Sequence, residues 1–133
     1  MKKIVSGMAL AAALLAAPQL LAKDKLSGEE QLAKMLEGRQ AGKPVNCIPI
    51  NGSNDVTVID KTAIVYRVGR TLYVNRPTNA DQLDRDDVLV TRLFGSQLCS
   101  IDTVQLHDNV GSGFMWRGFV GLREFVPYTK GRK

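Results

Sequence analysis

Beyond Pro44 the chain alternates between short apolar runs and clusters of turn residues. The runs are rich in β-branched, aliphatic and aromatic residues, which favour strands, and Gly, Asn, Asp and Pro separate them. The predicted strands are Val45–Ile50, Val56–Asp60, Thr62–Val68, Thr71–Asn75, Val88–Phe94, Leu98–His107 and the aromatic-rich run Phe114–Tyr128. Short strands at close intervals predict a mainly β fold, a small antiparallel sandwich or barrel with one N-terminal helix.

The clearest local prediction is a β-hairpin with a two-residue turn at Gly69-Arg70. Glycine suits such a turn because tight hairpin turns require positive φ angles. This turn places Tyr66 opposite Tyr73 and Val65 opposite Val74. Cross-strand aromatic and β-branched pairs stabilise antiparallel strands, so the pairing supports this register.

Two segments interrupt the strand pattern. Arg76–Asp87 is polar and begins beside Pro77, so we expect a loop there. Gly118 and Gly121 lie inside the last apolar run. Glycines within a strand are typical of bends or bulges, so this run is not expected to be a flat strand.

Residues 26–38 are predicted to form a helix. Ser27 and Glu30 have the S-x-x-E spacing of a capping box at its start. The apolar residues that recur at helical spacing are Leu32, Met35 and Leu36. Because this apolar stripe is narrow, we expect the helix to lie on the surface of a larger body, with a spacer as the alternative.

The N-terminus has the pattern of a secretory signal peptide. Met1-Lys2-Lys3 is positive, residues 4–21 are uncharged and mostly Ala and Leu, and Ala22 precedes the charged run Lys23-Asp24-Lys25. The apolar stretch is interrupted and too short for a stable membrane-spanning helix. We therefore expect a signal peptide over 1–22 that is cleaved after Ala22, and an uncleaved membrane anchor is the alternative.

Removal of 1–22 leaves about 111 of the 133 residues, enough for one domain. We divide them into an N-terminal helix and linker (23–43), a small β-rich domain (44–128) and a basic tail (129–133). The net charge of +5 falls to +3 without Lys2 and Lys3. Outside the tail the basic residues are scattered, which argues against nucleic acid and leaves a weak attraction to anionic envelope polymers.

The chain has two cysteines, Cys47 and Cys99. In an oxidising compartment an isolated pair favours a single disulfide. Neither cysteine lies in a CxxC motif or beside a histidine, so a reactive thiol or a metal site is less well supported. Closure of a loop of about 50 residues is expected to contribute roughly 4 kcal/mol to stability.

Five segments in combination resemble a group of small exported proteobacterial proteins. They are Pro44–Ile48, Ala63–Arg67, Leu72–Pro77, Gly95–Cys99 and Gly121–Tyr128, and most of 39–128 takes part in the resemblance. The resemblance implies export and a compact domain linked by cysteines. It carries no assigned activity, so it implies no catalytic residues.

A carboxylate cluster lies in the polar loop. Its members are Asp81, Asp84, Asp86 and Asp87. Their spacing lacks the alternating ligands and the glycine of an EF-hand loop. Arg76 and Arg85 are near enough in sequence to neutralise part of the charge, so we expect a solvated loop and not a metal site.

His107 is the single histidine of the chain. Acyl-transfer chemistry needs an imidazole beside a nucleophile, and Ser96, Ser100 and Ser112 are the candidates. None of them lies in a G-x-S-x-G motif. Strand parity places His107 on a polar face, which favours a surface residue, and one histidine argues against zinc.

The segment Phe114–Phe119 holds residue types that dominate binding interfaces. In a strand both of its faces would carry large apolar groups, although a small domain has one interior. A core position is the simpler interpretation of Trp116. The alternative is a contact surface, for which we name Tyr66, Tyr73, Trp116 and Arg117.

The sequence predicts an exported binding or structural module of the cell envelope, periplasmic or secreted, that is not an enzyme and holds no cofactor. The expected partner is an envelope protein. A small periplasmic hydrolase or transferase that uses His107 is one alternative. An accessory or inhibitor subunit that docks on a periplasmic enzyme is another.

Overall fold

The computed structural model describes residues 26–50, 55–93, 95–109 and 114–131. Its elements are α1 (Gly28–Met35), β1 (Arg39–Ala41), β2 (Cys47–Pro49), β3 (Asp55–Ile59), β4 (Ala63–Val68), β5 (Thr71–Asn75), a 3₁₀ turn (Ala80–Gln82), β6 (Val88–Thr91), β7 (Gln97–Cys99), β8 (Thr103–Asp108), β9 (Met115–Gly121) and β10 (Phe125–Lys130). The predicted signal peptide, Phe94 and Ser112 lie outside the described residues.

The strands form three antiparallel sheets. The largest has the order β1-β10-β5-β4-β3, a second pairs β2 with β7, and the third has the order β6-β8-β9. The predicted mainly β class with one N-terminal helix is therefore confirmed. None of the three sheets closes into a barrel, so the sandwich-like alternative describes this part of the chain better.

The five-stranded sheet is covered on both faces. Ile64 and Tyr66 of β4 pack with residues of the two smaller sheets in one buried cluster. Ala63 and Val65, which point to the other face, pack with Leu32 of α1 in a second cluster. Because both faces are buried, β4 is an almost continuous apolar run instead of an alternating one.

The predicted hairpin is present in the predicted register. Tyr66 pairs with Tyr73 and Val65 with Val74 across β4 and β5. Gly69 has a φ of 61°, the positive value that the first central residue of a tight hairpin turn requires. The turn chemistry alone was sufficient to predict this pairing.

Helix α1 lies on the five-stranded sheet, as its narrow stripe predicts. Ser27 Oγ accepts a hydrogen bond from the Glu30 N–H at 3.2 Å, the capping contact expected from the sequence. Arg76 after β5 donates to both carboxylate oxygens of Glu29 at 2.6 and 3.0 Å. This paired hydrogen bond lowers the pKa of Glu29 and raises that of Arg76.

Several boundaries differ from the prediction. The predicted linker contains β1, which pairs with β10, and β10 extends into the predicted tail as far as Lys130. The predicted strand Leu98–His107 is divided between β7 and β8 by a turn in which Asp102 accepts from the Cys99 N–H at 2.7 Å. The run Phe114–Tyr128 is divided between β9 and β10.

A buried polar side chain fixes the connection between β9 and β10. The side-chain amide of Asn75 donates to the Arg123 carbonyl at 2.6 Å and accepts from the Arg123 N–H at 3.1 Å. Asn75 is fully buried, so these two bonds satisfy an amide that would otherwise be costly to bury. They hold the connection between β9 and β10 against the end of β5.

Cys47 and Cys99 form the predicted disulfide and are direct partners in the β2–β7 register. Backbone hydrogen bonds flank this position, with the Ser100 N–H donating to Asn46 O at 2.7 Å. The cysteines therefore occupy a non-hydrogen-bonded pair site, where facing side chains of an antiparallel ladder come closest. No helix among the described residues is long and apolar enough to cross a membrane.

Candidate binding surface

The three-stranded sheet has one buried and one solvent-facing side. Val104 and Leu106 of β8 are buried in the core, so the alternate residues Gln105 and His107 point away from it. The register completes two rows on that side: Val88, His107 and Trp116 form one, and Val90, Gln105 and Phe119 form the other. We call these six residues the outer face.

The outer face exposes large apolar side chains. Trp116 is 61% exposed and Phe119 54% exposed, and Phe114 and Met115 beside them are also exposed. The interpretation of Trp116 as a core residue is therefore wrong. We expected large apolar side chains of this segment to face solvent on one side of the strand, but members of both predicted sides are exposed: Phe114 and Trp116 from one, and Met115 and Phe119 from the other.

A β-bulge shapes this surface. Trp116 pairs with His107 and Gly118 with Leu106, which leaves Arg117 as an extra residue in β9. Gly118 has a φ of 141°, a conformation that other residues rarely adopt. The extra residue lets Trp116 and Phe119 both lie on the outer face although they are three positions apart in sequence.

Arg117 has a partner within the chain. Its guanidinium donates to the carboxylate of Asp87 just before β6, and this hydrogen bond raises the pKa of Arg117. The Asp87 side chain is 2% exposed and also accepts from the Asp84 N–H at 2.8 Å. Arg117 therefore holds the polar loop against β9, and its charge is already matched.

The two predicted tyrosines lie elsewhere. Tyr66 is 3% exposed and packs edge-to-face on Phe125, with ring centroids 5.8 Å apart. Its hydroxyl has no hydrogen-bond partner among the described residues, and the residue lines an apolar cleft of about 240 Å³ between β3 and β6. Tyr73 is half-buried against the same core. The structure therefore does not bring Tyr66 and Tyr73 together with Trp116 and Arg117.

The edge of β9 adds backbone groups to the surface. β9 is the last strand of its sheet, so one side of its backbone faces away from β8. Near the C-terminal end of β9 the outward backbone carbonyls already accept hydrogen bonds. Thr78 N–H donates to Gly121 O at 2.9 Å, and the Asn79 amide donates to Phe119 O at 3.0 Å. Along Met115–Arg117 no described residue pairs with this side of the backbone.

His107 lies between Val88 and Trp116 without a catalytic partner among the described residues. Its Nε2 is 3.3 Å from Gln105 Oε1, and its ring centroid is 5.4 Å from that of Phe114. Neither Ser96 nor Ser100 hydrogen-bonds the imidazole, and both cysteines are in the disulfide. The His107 ring therefore contacts the Phe114 ring and the Gln105 side chain, and it is not placed to accept a proton from a serine or cysteine nucleophile among the described residues.

The acidic loop is ordered by its own carboxylates. Asp84 Oδ1 accepts from the Asp86 N–H at 3.1 Å, and Asp87 is committed to Arg117. Within the described residues no group of three or more His, Cys, Asp or Glu side chains is placed to hold a metal ion. The loop therefore supports β6 and β9 through these contacts.

Sequence reasoning found Trp116 but missed the strand neighbours that make it a surface. Val88, Val90 and Phe119 join the outer face only through the pairing of β6 with β8 and the bulge in β9. The alternation of apolar and polar residues in β8 was the available sequence signal for this face.

No family model, curated protein or solved structure matches the chain.

Proposed function

We propose that this chain is an exported, non-enzymatic binding module of the cell envelope that docks on a protein partner through the outer face and the edge of β9. The observation that carries the proposal is the outward exposure of Trp116 and Phe119 from a sheet whose other side is core. Contiguous exposed apolar groups on a small domain are typical of interaction sites. Tryptophan is among the residues that contribute most to binding energy.

The partner is a protein segment in extended conformation. The edge along Met115–Arg117 presents backbone N–H and C=O groups that an added strand can pair with. An exposed apolar edge strand would otherwise be prone to aggregation. Trp116 on the outer face would then contact the apolar side chains of the added strand, which makes an accessory or inhibitory subunit one form of the proposal.

The proposed compartment is the periplasm or the extracellular space. The disulfide is consistent with an oxidising compartment. The signal-peptide pattern in 1–22 and the resemblance to small exported proteobacterial proteins support the same proposal. Detection of the chain in the periplasmic fraction, cleaved after Ala22, is the direct test.

The binding test uses site-specific cross-linking. A photo-reactive phenylalanine analogue replaces Phe119 in cells that produce the protein, and cross-linked partners are identified by mass spectrometry. The same analogue at Leu26, an exposed residue two positions before α1, is the matched control. We expect one partner captured from position 119 and not from position 26.

Titration with the purified partner then measures the contribution of the surface. Trp116→Ala is expected to weaken binding by about 30-fold, equivalent to about 2 kcal/mol for a central interface residue. Leu26→Ala should bind as wild type. Unchanged affinity in both Trp116→Ala and Phe119→Ala would refute the docking surface. A turnover that His107→Ala abolishes in a folded protein would refute the non-enzymatic assignment.

A further inference from the structure

A basic groove lies at the end of the five-stranded sheet that carries the β4–β5 turn. Its volume is about 660 Å³, and four cationic side chains line it: Arg39, Arg67, Arg70 and Lys130. The other lining residues are small or hydroxylated: Gly69, Thr71, Thr129 and Gly131. Among the described residues, no acidic side chain lines the groove.

The groove places like charges opposite one another. Arg39 and Lys130 are direct register partners on β1 and β10. Like charges at directly opposed positions in a sheet destabilise it unless an anion lies between them. Two backbone hydrogen bonds hold the Arg39 side chain in this position: its Nη1 donates to Arg70 O at 2.8 Å and to Tyr128 O at 3.3 Å.

These four cations have no ion-pair partner among the described residues. The ion pairs found there join Glu29 to Arg76, Asp86 to Arg85 and Asp87 to Arg117, all outside the groove. Asp55 lies opposite Arg67 in the β3–β4 register but forms no ion pair with it and does not line the groove. Asp55 therefore offsets only part of the local positive charge.

We propose that this groove binds an anion that carries two or more phosphate groups. Guanidinium groups match phosphate oxygens with paired hydrogen bonds, and three of the four cationic side chains in the groove are arginines. A phosphate monoester carries a charge of about −1.5 to −2 at pH 7, so two such groups carry about −3 to −4 and balance most or all of the charge of four cations. A volume of about 660 Å³ is in the range of small-ligand sites.

The site is separate from the proposed docking surface. Arg67 shares the sheet side of Val65, which packs with α1, whereas the outer face belongs to the three-stranded sheet. No residue of the groove is a member of the outer face. Loss of one function therefore leaves the other measurable.

Two probes distinguish a soluble ligand from a lipid headgroup. Tripolyphosphate is titrated calorimetrically, and vesicles that contain cardiolipin, whose headgroup has two phosphates, are tested by co-sedimentation. Arg67→Gln/Arg70→Gln is expected to weaken binding at least about tenfold, because it removes two of the four cationic side chains that line the groove. Asp55→Asn should strengthen binding, because it removes the nearest acidic residue in the register.

The matched control is Arg85→Gln/Arg92→Gln, which removes the same charge from two exposed arginines outside the groove. This control should bind like wild type, and circular dichroism checks that each variant is folded. If tripolyphosphate binds and only Arg67→Gln/Arg70→Gln loses this binding, the ligand is a soluble polyphosphate. If only the cardiolipin vesicles bind and the same variant loses that binding, the ligand is a lipid headgroup. Absence of binding to both probes, or equal losses in the two double variants, would overturn the proposal.

Discussion

Tyr66 illustrates how a single buried polar atom affects this core. Its ring lies between Phe125 and the cleft beside β6, but its hydroxyl is buried without a hydrogen-bond partner in the part of the chain that the structure describes. A buried unsatisfied hydroxyl costs about 1–3 kcal/mol relative to one that is hydrogen-bonded or absent. Tyr66 therefore stabilises the fold through its ring and destabilises it through its oxygen.

We expect Tyr66→Phe to raise the free energy of unfolding by about 1 kcal/mol at pH 7, because it removes only the unsatisfied group. Urea unfolding followed by circular dichroism measures the change. Tyr73→Phe, which removes the hydroxyl of the half-buried strand neighbour, is the control and should have a smaller effect. A less stable Tyr66→Phe protein would mean that the hydroxyl has a partner.

The same group predicts a loss of stability at alkaline pH. Burial raises the pKa of Tyr66 above its ordinary value of 10.0, so the folded state retains a proton that the unfolded chain releases. The stability that protonated Tyr66 contributes to the folded state is complete below pH 10, and it is lost as the pH rises above 10. Wild type should therefore lose stability above pH 10 more steeply than Tyr66→Phe, as measured by urea unfolding across this range.

At this scale the sequence predicts pairing better than burial. The Gly69-Arg70 turn was enough to place Tyr66 opposite Tyr73. It could not show that Tyr66 is in the core and Trp116 is exposed. Both lie in apolar strands, and which face is covered depends on sheets that are distant in sequence.

At the scale of elements, the bulge in β9 and the polar loop before β6 depend on each other. Arg117 is the extra residue of the bulge, and Asp87 is its buried partner at the start of β6. The pair therefore spans the two edge strands of the three-stranded sheet. Its role is to hold the outer face in shape, which differs from the contact role that the sequence predicted for Arg117.

Arg117→Ala is expected to lower the free energy of unfolding by about 2 kcal/mol, because it leaves the Asp87 carboxylate buried without its counter-charge. Chemical denaturation measures this loss. Arg85→Ala is the matched control: its ion pair with Asp86 spans 3.9 Å between exposed side chains and should contribute less than about 0.5 kcal/mol. Arg117→Ala/Asp87→Ala should cost less than the sum of its single substitutions, and strict additivity would contradict the pairing.

Elements were predictable where the local pattern determines them. The capped helix, the hairpin and the glycine bend at Gly118 all have local signals. β1 has none, because Arg39–Ala41 is short and polar and joins the sheet through backbone pairing with β10. The turn between β7 and β8 contains no Gly or Pro, and the turn-forming types Ser100 and Asp102 were not sufficient to predict it, although the Asp102 side chain accepts from the Cys99 N–H there.

At the scale of the whole molecule, the smallest sheet links distant parts of the chain. β2 and β7 have three residues each and are not joined by a hairpin, yet they carry Ile48 and Leu98 into the main core. Two-stranded sheets of this size are marginal alone in water. The Cys47–Cys99 disulfide, which joins residues 52 positions apart, therefore holds this part of the core in register.

Reduction of the disulfide is expected to lower the free energy of unfolding by about 4 kcal/mol, since closure of a loop of this length restricts the unfolded chain. A domain of this size has a total stability of roughly 5–15 kcal/mol, so the loss should appear as a large decrease in the denaturation midpoint. Urea unfolding with and without a phosphine reductant measures it. The Cys47→Ala/Cys99→Ala variant should match the reduced protein and be insensitive to reductant. Equal midpoints for oxidised and reduced wild type would show that packing of Ile48 and Leu98 is sufficient to hold β2 against β7 without the covalent bond.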